Sequence, residues 1–310
     1  MQLWRVFPLQ FRDAATEFTQ HCKSIRKLSP HSVRAYELDL ERIARFMGEN
    51  DTVAACDRSL IHAYVRHLFE VRMLKESSVQ RHLATLRSFF RWLQEESGWG
   101  EDPFSGPKIR IRMPRRLPRV IARSDLRRLL LPAAEPATQT LMDLTAYVAV
   151  EILFATGMRV GELASLPDRA VDVEEGTMTI TGKGNRQRRV FVLDELKSIL
   201  RDYRVIRDEY ATGAETFLIN ARGAAASTET IRRLIRIRGE RCAIRERVTP
   251  HMFRHSVATY LLEEGVDIRH VQRLLGHRSI STTEMYTSVA DASLRLRITE
   301  HHPRRAILMM

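Results

Sequence analysis

Cysteine is scarce in this 310-residue chain: Cys22, Cys56 and Cys242 stand far apart. They make no CxxC pair of zinc-site spacing, and three cysteines do not build a disulfide framework, so a reduced, intracellular protein is expected. Long apolar runs are also missing. The most apolar stretch, LMDLTAYVAVEILFATG, is interrupted by Asp143 and Glu151, which predicts a buried helix rather than a membrane span. The start, MQLWRVFPLQF, has neither a long apolar core nor a small-residue cleavage site, so no signal peptide is expected. Internal repeats and low-complexity tracts are absent as well. Acidic residues are in the minority: 38 Asp+Glu face 50 Lys+Arg, a formal charge of +12 and a pI near 10.1. Such a surplus attracts polyanions, of which nucleic acid is the commonest large one.

What is present reads as a globular protein, 44% hydrophobic and 28% charged, and long enough for two domains. The pattern is mainly α. Helical spacing runs over residues 9–23, through SPHSVRAYELDLERIARFMGE with Ser29 and Pro30 at its start, and through DRSLIHAYVRHLFEVR with Asp57 as its cap. SSVQRHLATLRSFFRWLQEESG then repeats Val79, Leu83, Leu86, Phe90 and Leu93 at intervals of three and four. Four such helices can enclose a first domain, residues 1–105. A proline- and glycine-punctuated stretch with no amphipathic period follows and predicts a linker over 106–120. It carries Lys108, Arg110, Arg112, Arg115, Arg116 and Arg119, a set suited to contacting DNA phosphates between two domains that wrap a duplex. The second domain, 121–310, is mostly helical. Its helices are expected near 124–131, 138–156, 194–210, 227–240, 249–264, 267–275 and 281–289. VDVEEGTMTITGKGNRQRRVFVL alternates like a small antiparallel sheet, and FLIN at 217–220 reads as one more short strand.

Several short motifs carry chemistry-bearing side chains. In TPHMFRHSVATYLLEEG, His251, Arg254 and His255 share one helical edge beside the apolar stripe Phe253, Val257, Tyr260 and Leu261. HMFRH has the His-to-His spacing of a zinc-protease helix, but Met252 stands where that chemistry needs its glutamate. ATGMRVGELASL presents Arg159 beside a turn after Gly157. TGKGNRQRRV places Lys183 at a hairpin tip, yet TMTITGKG over 177–184 is no phosphate-binding GxxxxGK[ST] loop. LLGHRSISTTEMY sets His277 after a helix-stopping glycine and offers five hydroxyls, Ser279, Ser281, Thr282, Thr283 and Tyr286.

In that order Arg159, Lys183, His251, Arg254, His277 and Tyr286 resemble the catalytic set of the tyrosine recombinase (phage integrase) superfamily. The words around them agree over most of residues 120–290; Met252 and Phe253 depart from the family's more usual polar and aliphatic residues. The first hundred residues resemble its SAM-like core-binding bundle by layout. The implied architecture is a four-helix core-binding domain joined to a mostly helical α+β catalytic domain with a small antiparallel sheet. A start of the helices near residue 9 leaves no room for an arm-binding domain, as in Xer-like simple recombinases.

The resemblance implies site-specific recombination of double-stranded DNA without metal, ATP or other cofactor. Tyr286 is the implied nucleophile, Arg159 and Arg254 the clamp on a dianionic phosphorane, and Lys183 the acid for the departing 5′-oxygen. His251 is expected to take or orient the tyrosine proton and His277 to hold a non-bridging oxygen. Glu162 supports the site without reacting, and His255 is a helix residue bonded to backbone or water. The product is a 3′-phosphotyrosyl strand, exchanged through a Holliday junction within a homotetramer. The tail, ending in AILMM, is expected to dock on a neighbouring protomer, because an exposed apolar end is unfavourable. The four remaining hydroxyls read as turn and cap residues. A cytoplasmic location and no membrane partner follow. Two other readings share these residues: a type IB topoisomerase-like relaxing enzyme, and a catalytically silent DNA-binding regulator.

Overall fold

The computed structural model describes residues 9–48, 51–107, 109–112, 119–131, 140–182, 187–276, 298–300 and 302–308. The chain divides into two compact units, Met1–Arg116 and Leu117–Met310.

The first unit is built from α1 (Phe11–Ser24), α2 (Pro30–Met47), α3 (Arg58–Glu70) and α4 (Glu76–Ser97). Their ends are written locally. The Ser29 hydroxyl accepts from the Ser32 amide at 3.3 Å with Pro30 in the first turn, and Asp57 Oδ1 accepts from Leu60 at 2.8 Å. Phe11, Phe18, Leu40, Ile43, Ile61, Tyr64, Phe89 and Phe90 fill the centre, each almost wholly buried. The basic stretch after this bundle is partly held to it. Arg58 donates to the carbonyls of Ser105 and Pro107, both at 2.6 Å, and Arg87 to that of Ile109 at 3.2 Å. Ile109 and Ile111 pack on the bundle core while Arg110 and Arg112 stay exposed. That alternation has the period of an extended chain, so a search for helical spacing there finds none.

The second unit surrounds α6 (Leu141–Thr156), which is buried over most of its length. Its first turn is closed by a capping box: Thr140 Oγ1 accepts from the Asp143 amide at 3.2 Å and Asp143 Oδ2 from the Thr140 amide at 3.3 Å. Around it lie α5 (Arg123–Leu130), α7 (Val160–Ala164), α8 (Asp194–Tyr210), α9 (Thr228–Arg241), α10 (Pro250–Glu263) and α11 (Ile268–Leu275). β1 (Val171–Asp172), β2 (Thr177–Thr181) and β3 (Gln187–Phe191) form one antiparallel sheet in sequence order. Met178 pairs with Val190 and Ile180 with Arg188. FLIN is not a strand of this sheet. Its apolar residues are buried, and Ile219 makes only an isolated bridge to Ala225, because the chain turns back on itself there. The helix expected over 281–289 lies outside the described residues.

The tail sits on its own unit. A last helix, Pro303–Leu308, packs against α5 and α10, with Ile307 wholly buried. The Arg304 fork clasps Glu151 of α6, Nε to Oε2 at 2.8 Å and Nη2 to Oε1 at 3.0 Å. His302 Nε2 lies 3.1 Å from the carbonyls of Phe154 and Ala155, while its Nδ1 accepts from the Arg304 amide at 3.2 Å. Those partners require the neutral tautomer with the proton on Nε2.

Candidate active site

The site is organised by the place where α6 stops. Gly157 ends that helix in the left-handed region, φ 61°, and a Cβ there would lie 2.4 Å from Leu275 Cδ2. Only glycine meets both demands. Two residues on, Arg159 starts α7, and Glu162 one turn later reaches back to it. Glu162 Oε2 accepts from the Arg159 amide at 2.8 Å and Oε1 from Arg159 Nη1 at 2.9 Å. The Arg159 side chain is 45% exposed, whereas that of Glu162 is only 7% exposed.

Arg254 comes from α10 and is buried, rather than lying at the open edge that helical spacing suggested. Its Nη1 donates to Gly157 O at 2.7 Å and its Nη2 to Leu275 O at 2.6 Å. Both acceptors stand at helix C-termini, where unpaired carbonyls carry partial negative charge. Burial, then the nearby Arg159 charge, brings the Arg254 guanidinium down to about 10, so it remains a cation at neutral pH.

His251 lies one turn earlier, in the first turn of α10, and is exposed. Partial burial, then His255, Arg254 and Arg159, pushes its imidazole below its ordinary value. A neutral ring that can accept a proton follows at pH 7. The His255 ring stacks on it at 6.1 Å between centroids.

One participant was not anticipated. Arg188 of β3 forks onto Glu162, Nη1 to Oε1 at 3.0 Å and Nη2 to Oε2 at 2.7 Å, and its Nε donates to Leu274 O at 3.2 Å. The available signal was strand alternation: Arg188 shares a face with buried Val190 two residues on. Burial pushes the Glu162 carboxyl up, but hydrogen bonds from Arg188 and from the Arg159 amide outweigh it and bring it to about 2. Two guanidiniums thus hold one carboxylate, with the Arg254 charge within reach of it, a cluster suited to an anion.

The structure therefore brings together Arg159, Glu162, Arg254 and, on the same helix as the last, His251. Lys183, His277 and Tyr286, with Ser279, Ser281, Thr282 and Thr283, lie outside the described residues. Arg110, Arg112 and Arg119 are exposed, and Lys108, Arg115 and Arg116 also fall outside the description. Among the described residues, no group of three or more His, Cys, Asp or Glu is placed to hold a metal ion, and no helix is long and apolar enough to cross a membrane.

Residues 120–293 match the phage integrase family, and residues 15–97 match the phage integrase N-terminal SAM-like domain. The chain belongs to the phage integrase family. Among its relatives are tyrosine recombinase XerC of Halalkalibacterium halodurans, 32% identical over 93% of this chain and 96% of that protein, and tyrosine recombinase XerD of Staphylococcus aureus, 32% identical over 93% and 98%. The chain is accordingly a tyrosine recombinase, an enzyme of site-specific DNA recombination. Its fold is that of a lambda integrase dimer bound to a COC′ core site (TM-score 0.67, 17% identity, 93% of this chain and 77% of that one). XerH bound to difH in a pre-cleavage complex is similar too (TM-score 0.65, 19% identity, 90% and 84%). The recombinase fold and the two domain types expected from the sequence are both present.

Proposed function

We propose that Arg159 and Arg254 clamp the scissile phosphate while Tyr286 attacks it. The observation that carries this reading is the way both guanidiniums are anchored from behind. Arg254 spends one donor on each of two helix-end carbonyls, and Arg159 gives Glu162 a single side-chain donor. Their remaining N–H groups are left for a phosphate, already oriented and needing little rearrangement as charge builds up.

In the step proposed, the Tyr286 oxygen bonds to phosphorus as the bond to the 5′-oxygen breaks. The phenolic proton passes to neutral His251, and Lys183 protonates the departing 5′-oxygen. His277 donates to a non-bridging oxygen. The 3′-phosphotyrosyl link keeps the bond energy, so a 5′-hydroxyl from a partner strand restores a phosphodiester without ATP. Two such rounds, through a Holliday junction held by four protomers, exchange two duplexes in the cytoplasm. Exposed Arg110, Arg112 and Arg119, together with Lys108, Arg115 and Arg116, contact DNA phosphates.

The tail belongs to the same proposal. Glu151 lies wholly buried beneath Arg304, and an unpaired carboxylate there would be strongly unfavourable. Its socket must therefore stay filled. In the tetramer a neighbour's tail takes the place this chain's own tail occupies here, with the same contacts. Unchanged strand exchange after deletion of residues 304–310 would refute that part.

The experiment for the chemistry is a nicked suicide duplex. Tyr286→Phe should bind it and form no covalent adduct, and the wild-type reaction should persist in EDTA. An adduct retained by the phenylalanine variant removes Tyr286 from the mechanism. Relaxation of supercoils without exchange between two sites would favour topoisomerase activity instead.

A further inference from the structure

Arg188 does something that the phosphate clamp needs and that neither clamp arginine can do. Glu162 is a buried anion whose two oxygens each accept two hydrogen bonds, one from Arg159 and one from Arg188. Arg188 supplies a paired fork, the strongest geometry available to a guanidinium and a carboxylate. Arg159 supplies its backbone amide and one side-chain donor. The charge of Glu162 is therefore matched by Arg188, and that of Arg159 stays largely uncommitted. Were Arg188 absent, each carboxylate oxygen would lose one of its two donors. The nearest replacement is the rest of the Arg159 guanidinium, which would turn inward to complete the pair.

Two further contacts hold Arg188 to this task. Its Nε is tied to Leu274 O, at the end of α11. Gly276, φ 66°, lets the side chain lie against it: a Cβ there would stand 3.3 Å from Arg188 Cδ and 3.4 Å from its Nε and Nη1. The Arg188 side chain is 16% exposed against 45% for Arg159, so Arg159 is the one of the pair open to solvent. Arg188 also lies on β3, paired with β2, and so it joins the sheet to α7 and α11.

We infer that Arg188 is a positioning residue for recombination: it neutralises Glu162 so that the Arg159 guanidinium remains free for the phosphate. The inference rests on Arg159 acting as a clamp. It treats Glu162 as a competitor for Arg159 that Arg188 restrains.

The test is single-turnover adduct formation on the nicked duplex at saturating enzyme, with DNA affinity measured alongside. Arg188→Gln should slow adduct formation about a hundredfold, the scale of a misplaced catalytic group, with affinity changed less than about threefold. Arg188→Lys, which keeps the charge, should stay within about tenfold of wild type. Adding Glu162→Gln to Arg188→Gln should recover about tenfold or more, since an amide does not hold Arg159 as an anion does. A purely structural Arg188 predicts the opposite pattern: lysine as damaging as glutamine, and a double variant no faster than the single. Either result, or a wild-type rate in Arg188→Gln, overturns the inference. Arg159→Ala separates the two levels. If that variant forms adduct at the wild-type rate, the clamp reading fails irrespective of Arg188.

Discussion

Glu151 and Glu162 are both buried glutamates paired with arginine, eleven positions apart in the chain, yet they serve opposite ends. Glu151 is closed off by one guanidinium, Arg304, whose side chain is itself only 6% exposed. Little of that guanidinium reaches solvent, and the pair fastens the tail to α6. Glu162 is shared between two guanidiniums, one enclosed and one reaching solvent. The second arrangement leaves a cation oriented and available. What separates fastening from function is the number of arginines per carboxylate and whether one of them stays exposed.

The largest effect on folding should come from breaking the closed pair. Arg304→Ala leaves Glu151 buried without its paired guanidinium, with only the Tyr147 hydroxyl bonded to it, at a cost of about 3–5 kcal/mol in a denaturant titration. Replacing both partners with Glu151→Leu and Arg304→Met should return most of it. A near-wild-type Arg304→Ala would mean the tail is not seated on Glu151 in solution.

Acid should separate the two regions next. Burial holds the His302 imidazole down to about 4, below the ordinary 6.5. Below pH 6.5 the unfolded chain binds a proton that the folded one does not, so stability falls from pH 6.5 to about 4, by about 3 kcal/mol. Glu162 has its folded value depressed to about 2 from 4.5, so its contribution is intact above pH 4.5 and drains away as pH falls toward 2. Hydrogen exchange at α6 amides should show both windows, and His302→Gln should flatten the upper one alone. The first unit has its own buried imidazole, His82, held down to about 4 by burial, so the probe must lie in the second unit.

Smaller effects on stability should fall on the open cluster. Glu162→Gln keeps an acceptor for the Arg159 amide and should cost about 2 kcal/mol. Arg159→Ala removes a half-exposed pair and should cost less than about 1 kcal/mol while abolishing adduct formation. An activity loss that tracked stability across these variants would erase the distinction between the two glutamates.

Much of this was legible beforehand. Ser29, Asp57, Gly48 and Gly98 mark helix ends by local chemistry, and the four helices of the first unit appear within a residue or two of the expected places, whereas α7 and the last helix were not expected. Arg159, His251 and Arg254 stood out because their neighbours form recognisable words. Arg188 did not, since a strand arginine beside Arg186 and Arg189 looks like surface until α7 brings Glu162 beneath it. Asp143 and Glu151 were visible only as interruptions of an apolar run. One proved to be a helix cap and the other the socket of a tail 153 residues away.

By itself the sequence determined the helical periods, the turn glycines, the basic surplus and the residue types that phosphoryl transfer needs. These depend on neighbours a few positions apart, where backbone geometry alone sets which side chains meet. Tertiary structure decided which arginine backs which carboxylate and which is left exposed. It also decided that the last helix packs on its own unit, with Arg304 and His302 bonded to α6. Those outcomes depend on charges from distant segments sharing one buried place, where the loss of water makes the identity of each partner decisive.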